Sequence, residues 1–231
     1  MLCLLKRIPE RDRHVRVGGW RQDEPSAQYI GRRLDGYEGL TVGLIGLGRV
    51  GSRMADLLQP WRVKLLAHDP YVDQSKFVHH DTTPVDMETL LQKSDVVSLH
   101  CDLNGETRQM INQKQFGLMK PTAILLNTAR GGLVDYDALF NALDKDVIAC
   151  AGLDVFEIEP LPKQSPILGL GDKVVLTPHS AGYTPGGINR NAVVLQTEIL
   201  LTALRGIVPK CVVNTEVLPK WRERFGDKCL I

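Results

Sequence analysis

An α/β fold built on a doubly wound parallel sheet is the architecture this sequence predicts, and three observations carry that expectation. Short, nearly all-apolar runs alternate with helix-period stretches from about residue 39 to residue 178. A glycine-rich turn follows the first of these runs directly and opens a helical stretch that ends before Pro60. An aspartate, Asp69, closes the second run. Alternation of this kind is the signature of βαβ units, and runs with no polar face are what parallel strands covered on both sides require.

Taken in order, strands are expected at residues 40–45, 63–67, 96–99, 123–126, 148–153 and 174–176. After Asp135, the residues Tyr136, Leu139, Phe140 and Leu143 recur at helical offsets, with Asp135 placed to cap the helix. Met1 to Ile8 reads as the last turns of a helix that Pro9 then breaks. Near the other end, Ala192, Leu195, Ile199 and Ala203 form one helical stripe, and Val193, Leu200 and Leu204 form a second beside it. A face that wide implies more than one neighbour. The chain divides into residues 1–36 (helix and connecting loop), 37–182 (the sheet domain) and 183–231 (a long helix and tail).

The bulk properties narrow the function. The chain has 231 residues, and its 28 Lys plus Arg against 27 Asp plus Glu leave a charge of +1, without the basic surplus that nucleic acid attracts. Five cysteines without C-x-x-C spacing fit neither a disulfide framework nor a zinc site, so no metal is expected and a reducing cytoplasm is. The apolar opening is too short for a signal-peptide core, and no segment reaches membrane-spanning length.

The turn is Gly46-Leu47-Gly48-Arg49-Val50-Gly51. In a Rossmann-type dinucleotide site the first glycine allows the tight turn, the second lets pyrophosphate approach the backbone, and the third lets helix and strand pack closely. The N–H groups at the helix start then face the phosphates. Asp69 stands 23 residues after Gly46, near the spacing of the acid that accepts the ribose hydroxyls and repels a 2′-phosphate. NAD is therefore expected over NADP. The alternative for Asp69 is a strand-end cap of the turn before Pro70.

Beyond residue 90, three blocks make the chain similar to the D-isomer-specific 2-hydroxyacid dehydrogenases. The first is Ser94-Asp95-Val96-Val97-Ser98-Leu99-His100-Cys101 with Thr107, Ile111 and Asn112; Asp102 and Asn104 depart from the Pro and Thr usual there. The second runs from Met119-Lys120-Pro121 to Leu126-Asn127-Thr128-Ala129-Arg130-Gly131-Gly132-Leu133-Val134-Asp135. The third joins Ala151-Gly152-Leu153-Asp154-Val155-Phe156-Glu157-Ile158-Glu159-Pro160 to Leu176-Thr177-Pro178-His179-Ser180-Ala181-Gly182. The resemblance implies cofactor contacts at Gly46, Gly48, Arg49, Val50, Gly51, Asp69, Cys101, Thr107, Thr128, Ala129, Arg130, Asp154, His179 and Ala181. It also implies a catalytic set of Arg130, Glu159 and His179.

The implied chemistry is hydride transfer between NAD(H) and a 2-hydroxyacid or 2-oxoacid, by a homodimer. Arg130 suits a carboxylate because its planar fork donates two parallel hydrogen bonds and never loses its charge; otherwise it caps its own loop. An imidazole can give and take the carbonyl proton near neutral pH, and a carboxylate beside it favours its charged form. Glu159, 29 residues after Arg130, fits the family's acid, with Glu157 an exposed near-miss. Of the other histidines, His14, His68, His79 and His80 read as structural or solvated, and His100 as lining the cofactor site.

The likeness runs from Met1–Ile8, matching the family's inter-domain helix, to Val212-Val213-Asn214. The family's substrate domain, roughly its first hundred residues, has no counterpart. A truncated enzyme with weak or no turnover alone is therefore expected. The alternative is a non-catalytic NAD-binding module resembling the dehydrogenase-like corepressors.

Overall fold

The structure, a computed structural model, describes residues 1–21, 39–182, 190–226 and 228, with backbone alone for 190–192. Two short helices, α1 (Leu2–Leu5) and α2 (Ile8–Arg16), precede the sheet. Then follow β1 (Thr41–Ile45), α3 (Arg49–Leu58), β2 (Lys64–His68), α4 (Gln74–His79), β3 (Thr83–Pro84), α5 (Met87–Lys93) and β4 (Val96–Leu99). The second half runs α6 (Gln113–Phe116), β5 (Ile124–Asn127), α7 (Tyr136–Asp144), β6 (Cys150–Leu153) and β7 (Val174–Leu176). The last helices are α8 (Arg190–Leu204) and α9 (Leu218–Phe225).

The seven strands form one sheet in the order β3-β2-β1-β4-β5-β6-β7, every neighbouring pair parallel. The order reverses between β1 and β4, where open sheets of this kind hold ligands beyond their carboxyl ends. Alternate strand residues feed two cores. Val97, Leu99, Leu125, Ala151 and Leu153 join one, while Val96, Ile124 and Cys150 join the other, as a period of two dictates.

Each of the six expected strands is present, two with the expected ends (β4 and β7) and four with ends moved by a residue or two. The seventh, β3, is a two-residue edge strand containing Pro84, a position where a missing N–H costs no ladder bond. Asp135 caps α7 as expected, its Oδ1 accepting from the N–H groups of Asp137 (3.1 Å) and Ala138 (3.0 Å).

The N-terminus differs from its sequence reading. Pro9 does not end a helix but sits in the first turn of α2, where its missing N–H is harmless; the break falls at Arg7, which is left-handed (φ 48°). Nor is this segment separate from the sheet domain. Leu4 and Leu5 are buried in the second core, and a single compact unit runs from Met1 to Ala181. Residues 22–36 of the expected connecting loop, and 37–38 after it, lie outside the described residues.

A second unit spans Gly182–Ile231, of which 183–189 are not described. In it the turn at Gly206 (φ 76°) packs onto the end of α9, so close that an added Cβ would sit 2.7 Å from the Lys228 nitrogen. Of the expected stripes on α8, Val193, Leu195 and Leu200 are exposed, Ile199, Ala203 and Leu204 are half-buried, and Ala192 lies outside the described side chains. No described helix is long and apolar enough to cross a membrane.

Candidate functional site

Strand register builds the site. Ile45 pairs with His68 and Leu99, Leu99 with Asn127, Asn127 with Leu153, and Leu153 with Leu176. Six strands thus end in one row. The residues next in sequence (Gly46, Asp69, His100, Thr128, Asp154 and Thr177) begin the loops along a single carboxyl edge. Every candidate residue falls on these loops or within a few positions of them.

The first half of the edge is shaped by backbone. Gly46 has φ 94°, and a Cβ there would meet the Cys101 nitrogen and the His100 carbonyl carbon at 2.8 Å. A Cβ on Gly51 would sit 2.1 Å from the Gly46 carbonyl oxygen. At Gly48, by contrast, an added Cβ meets nothing within 4 Å. The three glycines therefore divide between strain, packing and open approach. Past Gly48, the first turn of α3, including Arg49 and Val50, presents N–H groups that have no partner within a helix.

Asp69 faces this turn. Its Oδ2 accepts from the Leu47 N–H (2.8 Å) and its Oδ1 from the Tyr71 N–H (3.0 Å), so it caps its own turn and also holds the glycine turn. Each oxygen keeps a second lone pair for a ribose hydroxyl. Gly46, Gly48, Asp69, Cys101 and Thr107 together line a cleft of about 380 Å³, with His100 among its walls. A dinucleotide phosphate and ribose fit this chemistry: an open glycine, a helix start and an anchored carboxylate.

Two cleft residues are occupied by structure. The Thr107 hydroxyl donates to the Asp102 carbonyl (2.6 Å) and accepts from the Asn104 N–H (2.8 Å), while Asn104 Oδ1 accepts from the Glu106 and Thr107 N–H groups. The two departures from the family pattern thus sit in an ordered loop. Burial pushes the Cys101 thiol up to about 11, which keeps it unreactive. Burial also lowers His100 to about 4, so it stays neutral, its Nε2 2.9 Å from the Ser98 hydroxyl.

The second half of the edge is held by side chains. Asn127, fully buried, donates to the Arg130 carbonyl (2.9 Å) and accepts from the Ala129 N–H (3.1 Å), turning the chain so that Arg130 projects outward. Gly131 then presses on the next loop: a Cβ there would lie 1.9 Å from the Phe156 carbonyl carbon. That approach links the arginine and glutamate loops. Arg130 also donates to its own loop, at the Ala129 carbonyl (2.6 Å).

Glu159 Oε1 accepts from the Phe156 N–H (2.8 Å), and its Oε2 lies 2.8 Å from His179 Nδ1. The His179 hydrogen bond, then the Phe156 N–H, with Arg130 adding its charge, hold the Glu159 carboxyl below its ordinary range. Of the His179 ring nitrogens only Nδ1 is engaged among the described residues, which leaves Nε2 for a ligand. Glu157 is exposed, as expected for the near-miss. The pair borders an apolar hollow of about 530 Å³ with Phe156, Leu161 and Leu168, while Thr128, Asp154 and Ala181 border another of about 210 Å³.

His179 is left-handed (φ 52°), a costly conformation for a side chain with a Cβ. Asp154 is what holds it there. Its carbonyl accepts from the His179 N–H (2.7 Å), and its buried carboxylate accepts from the Thr177 hydroxyl and from the Ser180 and Ala181 N–H groups, both at 2.9 Å. Burial opposes ionisation of Asp154, but these bonds outweigh it and keep the carboxyl below its ordinary range. With both oxygens engaged, Asp154 reads first as the anchor of the histidine loop.

Sequence reasoning missed three such positions: Asn127, Gly131 and the anchoring work of Asp154. For Gly131 and Asp154 the signal lay in contacts between loops, which spacing along the chain does not encode; the Asn127 side chain bonds within its own turn, where an Asn before a turn is the local sign. The other histidines are structural: His14 bonds the Trp20 carbonyl, His68 the Val85 carbonyl and His80 Asp56, with His79 edge-on to His80.

Comparison with known proteins gives the family. Residues 1–181 match the family described as D-isomer specific 2-hydroxyacid dehydrogenase, NAD binding domain. A glyoxylate reductase of Thermofilum pendens is 42% identical over 94% of this chain and 63% of its own length. A D-3-phosphoglycerate dehydrogenase of Archaeoglobus fulgidus is 36% identical over 93% of this chain and 39% of its own. The crystal structure of D-lactate dehydrogenase with NAD+ from Lactobacillus jensenii superposes with a TM-score of 0.76 at 31% identity, covering 92% of this chain and 65% of that one. The chain thus spans less than two thirds of these relatives. It belongs to the D-isomer specific 2-hydroxyacid dehydrogenase family, carries that family's NAD binding domain, and has NAD as its cofactor.

Proposed function

From that membership and the geometry of the sheet edge, we propose that the chain supplies the cofactor-holding and proton-transferring parts of an oxidoreductase that interconverts 2-hydroxyacids and 2-oxoacids. The observation that carries this reading is the 2.8 Å contact of His179 Nδ1 with Glu159, on loops next to Arg130. Gly46, Gly48, Gly51 and Asp69 hold the dinucleotide, with Arg49, Val50, Cys101, Thr107, Thr128, Ala129 and Ala181 around it. Bound NADH supplies the hydride that reduces the carbonyl carbon.

The chain's own groups do the rest. Arg130 grips the substrate carboxylate through its guanidinium fork. The His179 imidazolium, oriented by Glu159, gives its Nε2 proton to the carbonyl oxygen and takes it back in the other direction. Glu159 stabilises the charged ring and fixes which nitrogen faces substrate. Asp154 keeps the histidine loop in place.

We place the protein in the cytoplasm as a homodimer. Cys3, Cys101, Cys150 and Cys211 are free thiols, and Val15, Val17 and Trp20 form exposed apolar surface near α2 suited to a second copy. The test is NADH oxidation with glyoxylate, hydroxypyruvate and pyruvate beside NADH fluorescence titration. The 231-residue chain assayed by itself should bind NADH and turn over weakly or not at all, because the His179 side chain is 52% exposed and hydride transfer depends on a closed site. Robust turnover would contradict that. In a protein that does turn over, His179→Ala should cost at least about a hundredfold in kcat while NADH still binds; equal loss of both would make the histidine structural.

A further inference from the structure

Two walls of the cofactor cleft are joined by a contact that none of the roles above uses. Tyr71 stands on the loop after β2, and its hydroxyl donates to a carboxylate oxygen of Glu106 on the loop after β4. Both line the cleft with Asp69. Each partner is fixed at its base. The Tyr71 N–H donates to Asp69 Oδ1 (3.0 Å), and the Glu106 N–H donates to Asn104 Oδ1 (2.8 Å). The phenol reports both acids, its pKa raised by the hydrogen bond and charge of Glu106 and more weakly by the charge of Asp69.

We propose that Glu106, held across the cleft mouth by Tyr71, is a second selector of cofactor: it works with Asp69 to disfavour a 2′-phosphate on the adenosine ribose. This rests on the reading of the cleft as the NAD site. Asp69 alone places one negative charge on the β2 side. Glu106 adds another from the opposite wall, and Asp102 of the same loop also borders the cleft. A 2′-phosphate brings nearly two more negative charges into a space already enclosed by carboxylates, whereas a ribose hydroxyl brings none. Asp69 can also accept bonds from the hydroxyls, so it both attracts NAD and repels NADP; Glu106, one of whose oxygens is turned to the Tyr71 hydroxyl, acts in this proposal through its charge. The two carboxylates therefore have separable signatures.

The test is fluorescence titration with NADH and NADPH, on the whole 231-residue chain and on Glu106→Gln, Tyr71→Phe and Asp69→Ala. Glu106→Gln should reduce the ratio of the NADPH to the NADH dissociation constant by about three- to tenfold, the range set by a unit charge several ångströms from a phosphate in a partly screened site. Tyr71→Phe, which frees the carboxylate to swing into solvent, should reduce it less. The unaltered protein gives an independent reading: its discrimination against NADPH should weaken as salt rises from 50 to about 500 mM, and more steeply than that of Glu106→Gln. An unchanged ratio in Glu106→Gln, with Asp69→Ala still narrowing it, would overturn the second selector while leaving the NAD site intact. Failure of the unaltered chain to bind either nucleotide would overturn both.

Discussion

The two halves of the sheet edge solve the same problem by different means. On the β1–β2–β4 side, geometry is set by backbone: Gly46 and Gly51 are forced by contacts under 3 Å, and Gly48 is left open. On the β5–β6–β7 side, it is set by polar side chains, with Asn127 turning the arginine loop and Asp154 pinning the histidine loop. A shaped backbone accepts a cofactor common to many substrates. A side-chain network can instead fix charges on loops that are otherwise exposed, as Glu159 and His179 are.

Gly131 joins the halves of the second network and offers the sharpest way to break the contrast. Gly131→Ala places a Cβ 1.9 Å from the Phe156 carbonyl carbon, against the backbone of the Phe156–Glu157 peptide. It should cost about 3 kcal/mol or more in chemical denaturation, the largest loss among these variants; a loss below 1 kcal/mol would mean the loops separate freely.

Asp154→Asn comes next. It removes a buried carboxylate accepting three hydrogen bonds, and about 2 kcal/mol should be lost. The pH dependence follows from the sign of the shift. The folded carboxyl lies below its ordinary value of 3.8, so its stabilisation is complete above that value and is lost as pH falls through the depressed one. Denaturation midpoints of the parent should therefore drop faster than those of Asp154→Asn on acidification below about pH 4; parallel curves would remove the carboxylate from the account.

Asp69→Ala should act more gently. Losing the bonds to Leu47 and Tyr71 costs about 1 kcal/mol of stability, and NADH affinity should fall about tenfold. A larger stability loss with unchanged affinity would make Asp69 a turn cap alone.

The same contrast explains what could be read from the chain. Gly46, Gly48, Gly51 and Asp69 follow one another along a single βαβ unit, so spacing and residue type reveal them. The strands were legible because both their faces are apolar, and only β3, two residues long, carried too little pattern. Arg130, Glu159 and His179 come from three loops that meet only because strand ends align, and block resemblance rather than periodicity located them. Gly131 was hidden for a physical reason: it acts through a contact with another loop, at Phe156, which one residue type at one position does not disclose; the Asn127 side chain bonds only within its own turn, a local signal open to a reading of side-chain caps. Pro9 misled because proline, which breaks a helix from within, is equally suited to the first turn of one.

The central claim is that the open side of Gly48 is where the dinucleotide approaches the backbone. Gly48→Ala tests it directly, because the new Cβ meets no protein atom within 4 Å. NADH titration should show affinity falling at least about tenfold while the denaturation midpoint shifts by less than about 1 kcal/mol, the cost of alanine at a helix N-cap. Unchanged NADH affinity in that variant would contradict the claim.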